Sequence, residues 1–331
     1  MLDQEWISYA DQLQDQRWKD KRQEILQRDN HQCRMCSSTG NEDNPLEVHH
    51  RFYYCNSYAW QYNNNALITL CARCHTLVHL TISPLCYAYN HKRELVIMNF
   101  TPCLRCDGAG YFRQYRHIEH GICFRCRGER FEELIDKKGD LELDNYFNHE
   151  DKVFDVLQIQ ISPKEIINYY ERGHRFKINP GSLEKGIEEA YNFLYKAATN
   201  GHMNAQHELA RLIIRFRDRS KIQEAFRWFT YAAMKGNRHS MMYIAALLRT
   251  GLVSVPSDYY ANEWEKIACQ NENDLALSKL LGIVTSIAYK SGVADFYRKQ
   301  LIDLANNGNQ KALDMCKILA GPLKININRF G

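Results

Sequence analysis

Apolar positions along the chain change their spacing several times, and each change predicts a change of element. In "RWKDKRQEILQRDNHQC" Trp18, Ile25 and Leu26 share one helical face and basic groups share the other, which predicts an amphipathic helix. A Gly-Asn turn at residues 40 and 41 leads into "LEVHH", residues 46–50, which reads as a strand. From Cys74 the spacing is helical again, so His75 and His79, four residues apart, share a face. The stretch "KKGDLELDNYFNHEDK" is polar with few apolar anchors and reads as a connection. The apolar "VFDVLQIQI" at 153–161 could be a strand packed on either neighbour.

Beyond residue 164 the pattern is helical and repeats. "YKAATNGHMNAQHELARL" from 195 aligns with "TYAAMKGNRHSMMYIAAL" from 230, "KIACQNENDLALSKLLGI" from 266 and "IDLANNGNQKALDMCKIL" from 302. The turn falls at Gly201, Gly236, Glu272 and Gly308, a period of 35 to 36 residues. A large side chain precedes the first small position of each unit at Phe193, Trp228 and Trp264, and Gln300 breaks the series. Two helical stretches per unit at this period predict a helix-turn-helix solenoid. "KAATNG" and "YAAMKG" resemble the A-A-x-x-G turn of Sel-one-like repeats, relatives of the tetratricopeptide class, over roughly residues 163 to 320. Cys269, Glu272 and Leu304 depart from that pattern.

Composition narrows the class. The 331 residues suffice for two or three domains, and 45% hydrophobic with 25% charged residues is ordinary for a soluble globular protein. No apolar run is long enough to span a bilayer, and the polar start lacks a signal-peptide core, so a cytoplasmic protein without a membrane partner is expected. A net charge of +4 requires any nucleic-acid footprint to be local. Eight of the twelve cysteines form four C-x-x-C pairs, at Cys33/Cys36, Cys71/Cys74, Cys103/Cys106 and Cys123/Cys126. In a reducing compartment such pairs read as zinc ligands rather than disulfides. Cys55, Cys86, Cys269 and Cys316 read as small buried hydrophobes.

Cys33, Cys36, Cys71 and Cys74 can close one tetrahedral zinc site that ties the ends of this segment together. Within it, adjacent strand residues point to opposite faces, so His49 and His50 cannot do the same job. His49 is expected to face the helix and join His75 or His79 on a catalytic ion. His50 is expected to face water and serve as a base, mostly neutral at pH 7.

The segment from Trp18 to His79, with its C-x-x-C pairs, histidine doublet, "ALITLC" and "CARCH", resembles the HNH endonuclease family and its ββα-metal module. The resemblance implies that His49 is a metal ligand, His50 the general base, His75 the helix histidine and His79 a second possible ligand. It implies an asparagine that orients the base's loop or binds metal. Asn63, Asn64 and Asn65 precede "ALITLC", Ala66 stands where many members place the asparagine, and Asn65 is expected to take that role. Arg51, Tyr53, Tyr54 and Trp60 could contact nucleic acid or pack the module.

"CLRCDGAGYFRQYRHIEHGICFRC" separates its C-x-x-C pairs by sixteen residues, a zinc-ribbon spacing, with Gly108, Gly110 and Gly128 where the knuckles turn. It resembles C-x-x-C-x-G-x-G knuckles, although "CRGER" lacks the second glycine. Arg113, Arg116, Arg125, Arg127 and Arg130 could line phosphates or solvate a small domain.

The expected architecture is a multidomain α+β chain. It comprises an HNH module with structural zinc at 1–95, a zinc ribbon at 96–131, a connection at 132–162 and a Sel-one-like α-solenoid at 163–331. Two structural Zn2+ and one catalytic Mg2+, Mn2+ or Zn2+ are expected. The expected activity is phosphodiester hydrolysis in DNA, with a protein partner or self-association through the repeats. Phage defence or a mobile element would suit such a protein. A non-cleaving zinc-dependent adaptor and an RNA endonuclease are the alternatives.

Overall fold

The computed structural model describes residues 9–55, 57–90, 95–112, 115, 117–135, 162–178, 183–216, 221–250, 253, 257–268, 302, 305 and 306. Arg113, Arg116, Cys269, Cys316, the stretch 136–161 and most of the last two repeat units lie outside them. The protein is mixed α+β. Its contacts divide it into two compact units. The first is Met1–Glu171 with Lys196–His202 and Met234–Gly236, and the second is Arg172–Tyr195, Met203–Ala233 and Asn237–Gly331.

The first unit is built on two small sheets. Helices α1 (Tyr9–Gln14) and α2 (Gln16–Arg28) come first, and α2 buries the expected Trp18, Ile25 and Leu26. Asp15 caps α2 by accepting from the Arg17 amide at 2.8 Å. Strand β1 (Leu46–His50) pairs antiparallel with β3 (Leu67–Cys71), with His49 opposite Ile68 and His50 opposite Leu67. Helix α3 (Ala72–Thr81) follows β3 without a loop, and its first amide bonds the Pro45 carbonyl at 2.9 Å. The order strand, strand, helix is therefore ββα.

The second sheet was not anticipated from the sequence. Strand β2 (Tyr53–Tyr54) pairs parallel with β4 (Cys86–Tyr89), which pairs antiparallel with β5 (Leu95–Ile97). Its core joins Tyr53, Cys86, Ala88, Met98 and Phe131. Strand β5 runs across the 95/96 boundary drawn from the sequence, and Phe131 ends the ribbon inside this core. Tyr53, from the histidine segment, and Phe131, from the end of the second cysteine segment, thus share a core within this unit.

Helices dominate the rest of the described chain, with two turn glycines 35 residues apart. Helices α5 (Leu183–Thr199) and α6 (Met203–Phe216) meet at Gly201, and α7 (Ile222–Met234) and α8 (Arg238–Thr250) meet at Gly236. Both glycines have positive φ, +82° and +89°, the left-handed turn that ends a helix. Helix α4 (Pro163–Ile178) precedes them and α9 (Asp258–Ala268) packs on α8. Trp228 and Trp264 are fully buried, and Phe229 stacks on Tyr243 with ring centroids 4.5 Å apart. Among the described residues no helix is long and apolar enough to cross a membrane.

A histidine cluster between two cysteine groups

Each cysteine group arises from two knuckles held by backbone hydrogen bonds. In the first, the Ser37 amide bonds the Cys33 carbonyl at 2.8 Å, and the Arg34 amide bonds Thr69 of β3 at 2.9 Å. This fixes Cys33 and Cys36 beside Cys71 and Cys74 at the β3–α3 junction, and the four sulfurs form one possible metal site. In the ribbon, Asp107 and Arg127 repeat the knuckle bond to Cys103 and Cys123 at 2.8 and 2.7 Å. The Gly110 amide also reaches the Cys106 sulfur at 3.2 Å. Cys103, Cys106, Cys123 and Cys126 form the second possible site.

Sulfur separations test whether zinc fits. Tetrahedral zinc with bonds near 2.3 Å requires sulfurs about 3.8 Å apart. The observed separations are 3.7 Å for Cys36–Cys71, 3.6 Å for Cys106–Cys126 and 4.0 Å for Cys103–Cys123. These three separations match that spacing, and within each group all four sulfurs lie within 4.8 Å of one another.

The third possible site is the histidine cluster. His49 faces α3 and meets both His75 and His79, with ring centroids 4.8 and 4.9 Å away. The Nε2 atoms of His75 and His79 face one another at 3.0 Å. Two imidazoles sharing a tetrahedral ion would hold these atoms about 3.3 Å apart. His49 Nδ1 is buried without a hydrogen-bond partner, an unsatisfied polar atom that a metal ion would suit. Burial, followed by the neighbouring imidazoles, drives His49 well below the usual histidine value. Burial and His75 do the same to His79. Neutral imidazoles are the form that binds metal.

Two further residues hold this cluster, and the sequence reading missed both. Glu47 Oε2 lies 2.6 Å from His75 Nδ1, so His75 donates from Nδ1 and keeps the Nε2 lone pair toward the cluster. Tyr111, from the ribbon, brings its hydroxyl within 3.1 Å of His75 Nδ1 and 3.4 Å of Glu47 Oε2. A ligand histidine held by a carboxylate through its other nitrogen is the usual outer arrangement of a metal site. Glu47 was detectable in principle, because it lies two residues before His49 and so on the same face of β1.

His50 departs from expectation. It does not face open water: the residue is 3% exposed, stacked on Trp18 at 5.0 Å and edge-on to Tyr62 at 4.6 Å. The apolar face of α2 and the aromatic loop after β2 close over it. Its Nε2 lies 3.2 Å from the Ala59 carbonyl, and a carbonyl only accepts, so Nε2 carries the proton and Nδ1 the lone pair. Burial first, and the Arg130 cation second, push its pKa down to about 3. What His50 faces is a cavity of about 290 Å³, lined also by Arg22, Glu47, His75, Tyr111 and Arg130.

The remaining predicted residues separate. Asn65 is exposed, outside the buried cluster, and its contribution is a backbone carbonyl that accepts from Arg51 Nη1 at 3.0 Å. Its neighbour Asn64 has the fixed side chain, accepting from Lys21 at 2.6 Å and donating to Glu24. Arg51 is buried, and its Nη1 braces this loop through that carbonyl. Arg125 is exposed but clasped by Glu132 through bonds of 2.8 and 2.6 Å, which leaves little net charge to offer a phosphate. Arg127 is exposed.

No family model matches the chain, and searches of curated proteins and of solved structures return no match.

Proposed function

We propose that the first unit is a metal-dependent HNH-type endonuclease that hydrolyses phosphodiester bonds in DNA. The observation that carries this reading is the convergence of His49, from a strand, with His75 and His79, from the following helix, beside a cavity that His50 also lines. The two cysteine groups would hold structural Zn2+, and the three histidines a divalent ion. Such an ion would supply charge stabilisation at the leaving oxygen of the phosphodiester. His50, with its proton fixed on Nε2 by Ala59, would accept a proton at Nδ1 from the attacking water. A P–O bond to that water forms as the bond to the leaving oxygen breaks. The depressed basicity of His50 suits a neutral resting state, and substrate phosphate in the cavity would raise it toward a working value. We place the protein in the cytoplasm and read the 35-residue helical repeat as a solenoid that recruits a protein partner.

One observation favours a second reading. His49, His75 and His79 are all buried, and a closed site is the geometry of structural metal. On that reading the protein is a non-cleaving, metal-stabilised adaptor for nucleic acid. Incubating metal-loaded protein with supercoiled plasmid and with structured RNA separates the two readings. Nicked or linear DNA supports the nuclease, cleaved RNA alone moves the substrate to RNA, and intact substrates with every divalent ion favour the adaptor.

A further inference from the structure

The two ribbon knuckles align, and at the last position one carries glycine where the other carries arginine. Cys106-Asp-Gly-Ala-Gly110 aligns with Cys126-Arg-Gly-Glu-Arg130. Gly110 has φ +76° and Arg130 has φ +70°. Glycine adopts this left-handed conformation freely, whereas a side chain there strains the backbone. The first knuckle needs its glycine, because a Cβ on Gly110 would lie 3.1 Å from Arg130 Cγ and Cζ. The second carries a strained arginine, and strain of this kind prompts the question of what the side chain does.

The side chain is aimed inward. Arg130 is 6% exposed, and its guanidinium lies between the rings of Tyr9 and Tyr53, each centroid 4.2 Å away. Nη1 donates to the Gly128 carbonyl at 2.6 Å, while Nε is buried with no hydrogen-bond partner. Among the described residues no carboxylate pairs with it. Glu47, which lines the same cavity, is engaged by His75 at 2.6 Å. A buried cation without a counter-charge is costly, and an anion in the cavity would relieve it. The cation–π sandwich explains why a flat guanidinium fits between the rings. It does not explain the unsatisfied Nε or the absence of a counter-charge.

We propose that Arg130 is the phosphate-holding residue of this cavity, seating a phosphate group of the nucleic-acid substrate beside His50 and His75. Arg22, which also lines the cavity, adds a second cation while its Nη2 bonds the Leu46 carbonyl at 2.9 Å. The proposal rests on the hydrolase reading, and it gives the ribbon a part in substrate binding. Arginine suits the task because its fork can offer two parallel donors to phosphate oxygens.

The test titrates zinc-loaded protein, with no other metal added, against inorganic phosphate and separately against a short DNA duplex. Arg130→Gly suits the backbone and is expected to retain both zinc ions. It should weaken phosphate and duplex alike by at least about tenfold. It should also lower the slope of duplex affinity against salt by about one. Arg130→Met keeps a long side chain between the two rings without the charge, so it decides the matter if the glycine variant loses ribbon zinc. Wild-type affinity for phosphate in either folded variant overturns the proposal, as does wild-type protein that binds no phosphate. Loss toward the duplex alone would remove the cavity as the site, and loss toward phosphate alone would make the anion a free phosphate instead of a substrate group. Plasmid cleavage by wild type is read separately. Phosphate binding without cleavage would therefore keep this anion site and reject the nuclease reading.

Discussion

Tyr111 of the ribbon places its hydroxyl 3.1 Å from Nδ1 of His75, a helix residue 36 positions earlier in the chain. Tyr111 is itself fixed by the ribbon's cysteine group. The residue before it, Gly110, donates its amide to Cys106 and accepts from the Cys123 amide at 3.0 Å, and Tyr111 bridges to Ile122. The ribbon thus reaches the histidine cluster through one phenol. Outer partners of this kind are worth about 10- to 100-fold in metal affinity. Glu47→Gln should lose that much for Co2+ at the histidine site, read by visible absorption, and Tyr111→Phe about tenfold. Unchanged Co2+ affinity in both variants would show that the outer contacts do not hold the ion.

Metal content follows from the same connection. Purified protein should carry two tightly bound zinc ions, and replacing Cys103 and Cys106 with serine should remove one. Because Tyr111 depends on that knuckle, the double variant should also weaken the histidine site. Elemental analysis gives the first result and Co2+ titration the second. A ribbon without zinc but with a wild-type histidine site would mean that the two are independent.

Asp29 links acidity to the fold of the first knuckle. Burial pushes its carboxyl up, but hydrogen bonds from Arg28 and the Thr69 amide outweigh burial, so its pKa stands below 3.8. The native state therefore binds this proton more weakly than the unfolded chain. The stability it contributes is present above about pH 4 and fades as pH falls through the folded value. Asp29→Ala should cost about 1–3 kcal/mol at pH 7 by orphaning the Thr69 amide. The difference from wild type should shrink in denaturant titrations at pH 3, and a constant difference across pH would remove the carboxylate's charge from the explanation.

Trp228, on α7, is fully buried. Trp228→Ala should destabilise the second unit by about 3–5 kcal/mol, measured by helical circular dichroism on heating. A shift of under about 1 kcal/mol would mean that the site collapses around the gap.

What the sequence made legible was whatever short-range spacing controls. Cysteine pairs announce their own knuckles, and His75 and His79 share a face because a helix turns in 3.6 residues. The opposite orientation of His49 and His50 follows from the strand period. What escaped depends on distant segments. His50 is enclosed by Trp18, Tyr53 and Tyr62 from three separate stretches, so no local pattern could show its burial. The parallel pairing of β2 with β4 leaves no periodic trace in a two-residue strand. Arg130 looked like one of five equivalent arginines. Only the fold distinguishes a buried guanidinium from Arg125, which Glu132 already clasps.

The central claim, that His50 activates water beside a histidine-bound ion, is tested most directly by plasmid nicking with metal-loaded wild type and His50→Ala. Both proteins should hold the same metal and bind the plasmid comparably, because His50 is not among the clustered ligands. The account predicts that His50→Ala nicks at least about a hundredfold more slowly. Equal nicking by the two proteins, or no nicking by wild type with Mg2+, Mn2+ or Zn2+, would contradict it.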